Sequence, residues 1–322
     1  MESVLSLAYL FPGQGSQRPG MLHALPTSPA AADALSEARD CIDRLGLGGD
    51  LDSADALRTT TRTQLALLVA GVVSARALMR DHGLTPEFVA GHSVGAFAAA
   101  VVAGVLTFEE AISVVRLRGD LTARACEHGR WGMAAVSGLG LRPVEKLVGR
   151  IGTADDPLWV ANVNSADQIV ISGRPARFEV FARAARATGA RYVRQLDVRI
   201  ASHCPLQDGT AAQLAKVLSD IPDRRQLVSY VSNVGGRCIR ADAERVRDDL
   251  ARSVAAPVQW YDGVRLMGEL GANAALEMPP GHVLSRLVSD SVPEIRAISL
   301  DEMGVDLAVA RTRRLTSLAP PA

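Results

Sequence analysis

Gly91-His92-Ser93-Val94-Gly95 fits G-x-S-x-G, the spacing of a serine held on a tight strand-to-helix turn. Small residues must flank such a serine, because the chain reverses there with no room for side chains. The hydroxyl then stands clear of the sheet at the N-terminus of a helix. The backbone N–H of the next residue points to where an oxyanion would form. The same five residues also describe a glycine-rich turn carrying a solvated serine; a strand before and a helix after would separate the two readings. A serine hydroxyl needs a base. Of the six histidines, His92 adjoins the serine and is expected to point away from it, packing under the turn. His203 lies in Ile200-Ala201-Ser202-His203-Cys204-Pro205, a loop after an expected strand, from which it could return to Ser93. A partly buried loop histidine is the other reading.

The elements that must position these residues follow from apolar patterning. Leu5 to Phe11 reads as a short buried strand ended by Pro12-Gly13-Gln14-Gly15. Ala30 to Leu45 and the Ala-rich stretch Thr63 to Met79 read as helices. Phe88 to Ala90 reads as a strand closed by Gly91, followed by helices at Ala96 to Val102 and Phe108 to Ala125. Strand, sharp turn and helix thus bracket Ser93. A different order follows: strand Met133 to Val136, helix Pro143 to Ile151, and strands Leu158 to Asn162 and Gln168 to Ser172, joined by a turn at Asn164 to Asp167. Helix Arg174 to Thr188 and strand Ala190 to Leu196 complete it. That β-α-β-β-α-β order is a ferredoxin-like unit. The larger pattern resumes with a strand at Leu227 to Ser232 and two later helices. The expected class is α/β: an α/β-hydrolase-like domain from 1–130 and 198–322, with a ferredoxin-like domain inserted at 131–197.

With 35 basic and 35 acidic residues the formal charge is zero, so neither nucleic acid nor a membrane is an expected partner. No metal ligands are spaced along the chain, and Cys41, Cys126, Cys204 and Cys238 read as reduced thiols of a cytoplasmic protein. The Met1-Glu2 start has no signal-peptide pattern, and no stretch of about 20 residues is apolar and uncharged. The end, Ala319 to Ala322, is expected to lack structure.

Four separated segments resemble the malonyl-CoA:acyl-carrier-protein transacylase family: Phe11-Pro12-Gly13-Gln14-Gly15-Ser16-Gln17, the elbow at 91–95, Arg116-Leu117-Arg118-Gly119, and Ser202-His203-Cys204. Weaker matches are Gln64 to Leu67, Asn162 to Gly173, Pro257-Val258-Gln259-Trp260 and Pro279-Pro280-Gly281, in the family's order over almost the whole chain. The resemblance implies Ser93 as nucleophile and His203 as base, oriented by a backbone carbonyl at or near Gln259. It implies an oxyanion hole from the N–H groups of Gln14 and Val94, with Gly13 and Gly15 letting the main chain come close. It makes Arg118 the clamp for the free carboxylate of a malonyl group, which a planar guanidinium can hold bidentately. Without the resemblance Arg118 would read as one more arginine on a solvated helix face.

The implied activity is ping-pong transfer of malonyl from malonyl-CoA to the thiol of an acyl carrier protein, with no cofactor. Ala96 stands where many relatives carry Glu, and Pro280 breaks a frequent Gly-Pro-Gly. The stretches Pro19 to Pro26 and Gly95 to Ala100 look most like the epsilon subunit of malonate decarboxylase. That likeness implies a dedicated decarboxylase carrier as acceptor and other decarboxylase subunits as partners. The alternatives are a general transacylase of fatty-acid or polyketide synthesis, a hydrolase, and a non-catalytic scaffold subunit.

Overall fold

Five consecutive buried residues, Leu7–Phe11, form β1; such an unbroken apolar run suits a parallel strand covered on both faces. The computed structural model describes residues 5–317. The tail Ala319 to Ala322 and the Met1-Glu2 start lie outside them. From β1 the chain passes through α1 (Pro29–Arg44) and α2 (Thr60–Arg80) to β2 (Phe88–Gly91), α3 (Gly95–Val102) and α4 (Phe108–Ala125). The insertion is β3 (Gly132–Ser137), α5 (Leu141–Ile151), β4 (Leu158–Ser165), β5 (Gln168–Gly173), α6 (Pro175–Ala187) and β6 (Tyr192–Gln195). Then come α7 (Asp208–Ser219), β7 (Ser229–Val231), β8 (Cys238–Ile239), α8 (Ala243–Arg252) and α9 (Trp260–Glu269). β9 (Ala274–Glu277), α10 (Val283–Ser291), β10 (Arg296–Ser299), α11 (Leu300–Met303) and α12 (Val305–Ser317) close the described chain.

The large sheet has the order β10-β9-β1-β2-β7-β8, parallel except for β8. β1 and β2 therefore sit at its centre, and the loops at their carboxyl ends open on the crevice where α/β sheets place their ligands. Sequence patterning gave a single strand after the insertion, whereas the structure has four. β9 and β10 are four residues each. Ala274-Ala275-Leu276-Glu277 has no β-branched residue to mark it as a strand, and its partner β1 lies far away in sequence.

The insertion has the antiparallel order β4-β5-β3-β6, the ferredoxin-like arrangement. β4 runs on to Ser165, so the turn into β5 shrinks to Ala166-Asp167. The small sheet is tied to the large unit by main-chain bonds: Val163 N–H donates to Val258 O (2.8 Å) and Val258 N–H to Ala161 O (2.9 Å). That tie fixes one wall of a cleft against the other. α2 is long and apolar enough to cross a membrane by length and composition alone, but 83% of that window is buried inside the protein. α4 begins at a capping box: Thr107 Oγ1 accepts from Glu110 N–H (3.2 Å), and Glu110 Oε2 from Thr107 N–H (2.8 Å). From that fixed start its buried face reaches Arg118 in the third turn.

Candidate active site

Ser93 stands between the end of β2 and the start of α3 with φ of 55°. A left-handed serine costs of order 1–3 kcal/mol and persists only where its surroundings impose it. Here they do. A Cβ on Gly95 would lie 2.1 Å from Phe11 O, and one on Gly13 would lie 2.6 Å from His92 O. The loop after β1 thus presses directly on the elbow, and only glycine permits the contact. Gly15 differs from the expectation: nothing approaches its Cβ position, and its φ of 110° is what calls for glycine. Gln14 and Val94 both line the cleft beside Ser93, and among the described residues neither N–H donates to another group. The N-terminus of α3 adds its positive end to the same spot.

His203 Nε2 lies 2.8 Å from Ser93 Oγ, although 110 residues separate them. Its Nδ1 lies 2.5 Å from Ser253 O. A carbonyl only accepts, so Nδ1 carries the proton and Nε2 is left free to take one from the serine. The orienting carbonyl is thus Ser253's and not Gln259's. Gln259 caps α9 instead, its N–H donating to Asn233 O (2.8 Å). Ser253 is delivered by the end of α8, and the next residue, Val254, accepts from His203 N–H (2.7 Å). His203 also has positive φ, 61°. Burial, and secondarily the charge of Arg118, pushes its pKa down to about 3, so across the neutral range the imidazole is neutral, with Nε2 free to accept a proton.

Arg118 is 1% exposed, and its Nη2 donates to Ser93 Oγ (3.1 Å). Its Nε has no partner among the described residues, and burial lowers its pKa to about 10, which leaves it charged. Among the described residues no carboxylate forms an ion pair with it; the solvated helix face is excluded by its burial. His92 makes no hydrogen bond to Ser93 among the described residues, but it lines the same cleft and does not pack under the turn, because the small-sheet asparagines hold its ring nitrogen. Its Nε2 lies 3.1 Å from Asn164 Oδ1 and 3.2 Å from Asn162 Nδ2, and its ring rests on Trp260. Burial lowers the His92 pKa by more than the Asn164 contact raises it.

These groups face a cleft of about 480 Å³ between the two sheets. Its small-sheet wall carries Asn162, Asn164 and Arg194. Sequence reasoning missed Asn233, whose Oδ1 accepts from Ser93 N–H (2.8 Å). The arrangement can transfer a proton from Ser93 to His203, hold an oxyanion at two free N–H groups, and seat an anion on Arg118.

An α/β fold with a serine elbow, a histidine in hydrogen-bond reach and a buried cation in one cleft suits a serine enzyme of acyl chemistry. The chain belongs to the acyl transferase domain family, which matches residues 8–312. It is 35% identical over 304 residues to the malonyl CoA-acyl carrier protein transacylase of Salmonella typhimurium, covering 92% of this chain and 96% of that one. The Haemophilus influenzae protein of the same name is 36% identical over 308 residues, covering 92% and 95%. Among solved structures, the Coxiella burnetii malonyl CoA-acyl carrier protein transacylase superposes with a TM-score of 0.89 at 30% identity, covering 98% of this chain and 99% of that one. A malonyl-transacylase in complex with its type II polyketide-synthase acyl carrier protein gives 0.87 at 32%, covering 96% and 99%.

Proposed function

We propose that this chain moves a malonyl group from malonyl-CoA to the thiol of an acyl carrier protein through an ester on Ser93. Ser93 gives its proton to His203 and attacks the thioester carbonyl. The N–H groups of Gln14 and Val94 hold the oxyanion, and CoA leaves as the thiol after protonation by His203. The carrier's thiol then loses its proton to His203 and attacks the ester, and Ser93 recovers its hydrogen. The observation that carries the substrate class is Arg118. A guanidinium kept dry with no carboxylate partner calls for an anionic acyl group in the site.

The test compares malonyl-CoA with acetyl-CoA, which has no carboxylate. Arg118→Ala should cost about 2–5 kcal/mol in malonyl transfer and leave acetyl transfer equal or faster. Equal losses for both donors would make Arg118 structural and remove the carboxylate clamp.

The general transacylase of fatty-acid or polyketide synthesis is the reading favoured for the acceptor. The relatives named above are malonyl CoA-acyl carrier protein transacylases, and one similar solved structure is a malonyl-transacylase in complex with a type II polyketide-synthase acyl carrier protein, all matched over nearly their full length. Priming of a malonate decarboxylase is the narrower reading and rests on the stretches Pro19 to Pro26 and Gly95 to Ala100. Malonyl-loaded protein offered an acyl carrier protein of fatty-acid or polyketide synthesis and the decarboxylase carrier at equal concentration should prefer the former. A preference of roughly tenfold, about 1.4 kcal/mol, for the decarboxylase carrier would reverse that choice.

A further inference from the structure

The two residues that meet at 2.8 Å in the cleft come from distant parts of the chain, and each adopts a left-handed conformation. Something must hold both in register. Asn233 follows β7, next to the elbow strand in the large sheet. Its side-chain amide makes two bonds to the elbow: Oδ1 accepts from Ser93 N–H (2.8 Å), and Nδ2 donates to Gly91 O (2.9 Å). One planar group therefore spans the turn, gripping the residue before His92 and the residue after it. The bond to Ser93 also uses the serine's own N–H, leaving that of Val94 for an oxyanion.

The main chain that carries this amide is itself fixed. Asn233 N–H donates to Asp249 Oδ2 (3.0 Å), and Asn233 O accepts from Gln259 N–H (2.8 Å). Asp249 is 4% exposed and takes two more donors, Val234 N–H (2.7 Å) and Tyr230 Oη (2.7 Å). It lies on α8, one turn before the carbonyl that orients the base: Ser253 N–H donates to Asp249 O (2.9 Å), and Ser253 O faces His203 Nδ1. The same turn of helix thus supports nucleophile and base together.

We propose that Asn233 and Asp249 are positioning residues: Asn233 clamps the serine elbow on both sides, and Asp249 locks that clamp to the helix end that orients His203. This rests on Ser93 and His203 being the reacting pair and is independent of which acyl group they carry.

The test is the rate of Ser93 acylation by malonyl-CoA, followed by intact mass, with a fluorophosphonate as a second probe of the serine. Asn233→Ala should slow acylation by about 10–100-fold, the scale of a small misplacement of reacting groups. Its half-saturating malonyl-CoA concentration should stay within about twofold of the wild type. Asn233→Asp discriminates further. An ionised carboxylate accepts from Ser93 N–H but repels Gly91 O, whereas the neutral acid restores both bonds. The neighbouring Asp249 carboxylate and burial favour that neutral form. The ratio of this variant's rate to wild type at the same pH should therefore be low near pH 8 and recover to within a few-fold near about pH 5. Asp249→Asn should lower the acylation rate in the same way as Asn233→Ala.

Wild-type rates in Asn233→Ala and Asp249→Asn, or an Asn233→Asp ratio that does not change with pH, would overturn the proposal. Should Asn233→Ala fail to fold, the pH ratio of Asn233→Asp decides. If the wild type reacts with the fluorophosphonate and not with malonyl-CoA, the malonyl reading fails. The phosphonate rates of the same variants then decide the clamp.

Discussion

Ser93→Ala should show no malonyl adduct by intact mass after exposure to malonyl-CoA, and transfer to a carrier should fall by on the order of 10⁶, the usual effect of deleting a serine nucleophile. The expectation follows from geometry and not from the motif alone. Among the described residues Ser93 Oγ has two hydrogen-bond partners: His203 Nε2 at 2.8 Å, which can accept its proton, and Arg118 Nη2 at 3.1 Å, which donates to it. A donor on one side and a base on the other both favour the developing alkoxide. Alanine removes the only atom that the two share. The fold should tolerate the change, since alanine is smaller and the N–H bond to Asn233 is retained. An adduct that persists in Ser93→Ala would move the acyl group to another residue and leave the elbow without its role.

The elbow was legible because its constraint is local. Five residues encode a turn whose neighbours must be small, and the strand and helix on either side have ordinary apolar patterns. The ferredoxin-like insertion was legible for a similar reason, since its strands and helices alternate at short range. The carbonyl that orients His203 was not legible. Any residue supplies a carbonyl, so nothing in the side chain of Ser253 marks it. The motif that drew attention, Pro257 to Trp260, serves another purpose: Val258 joins the two sheets and Gln259 N–H holds Asn233. Asn233 itself sits in Ser232-Asn233-Val234-Gly235-Gly236, where an asparagine after a strand reads as an ordinary turn residue. Only the sheet order, which sets β7 beside β2, gives it something to hold. Arg118 lay between these cases. Its helix was read correctly, but its burial depends on how α4 packs, and one helix pattern cannot distinguish a dry arginine from a wet one.

His203→Ala should slow acylation by about 10²–10⁴, the usual contribution of a positioned base, and should change the shape of the pH profile as well as its height. In the wild type, burial first and the Arg118 charge second lower the His203 pKa to about 3. The sign is therefore plain. Protonation disables the base, the protonated form gains ground only as pH falls toward that value, and activity is lost on the acid side. From about pH 7 to pH 8 the free-enzyme rate, kcat/KM for malonyl-CoA, should be nearly flat; below that a partial fall is expected as Asp249, whose pKa burial raises to about 6, gains a proton and loosens its hold on Asn233. That limb should be absent in Asp249→Asn, whereas a histidine at its ordinary pKa of about 6.5 would keep it. In Arg118→Ala the second-largest cause is gone, so the acid limb should move to higher pH. An anion seated on Arg118 should act in the same direction, because it offsets the charge that disfavours the imidazolium. The imidazolium is the species that must form when Ser93 gives up its proton, so seating the anionic acyl group strengthens the base at the step that needs it. In His203→Ala the flat region should give way to a slow residual rate that climbs with pH, since only hydroxide or a trace of free alkoxide remains. A variant rate within tenfold of wild type, or an unchanged profile, would assign the proton transfer to another group in the cleft.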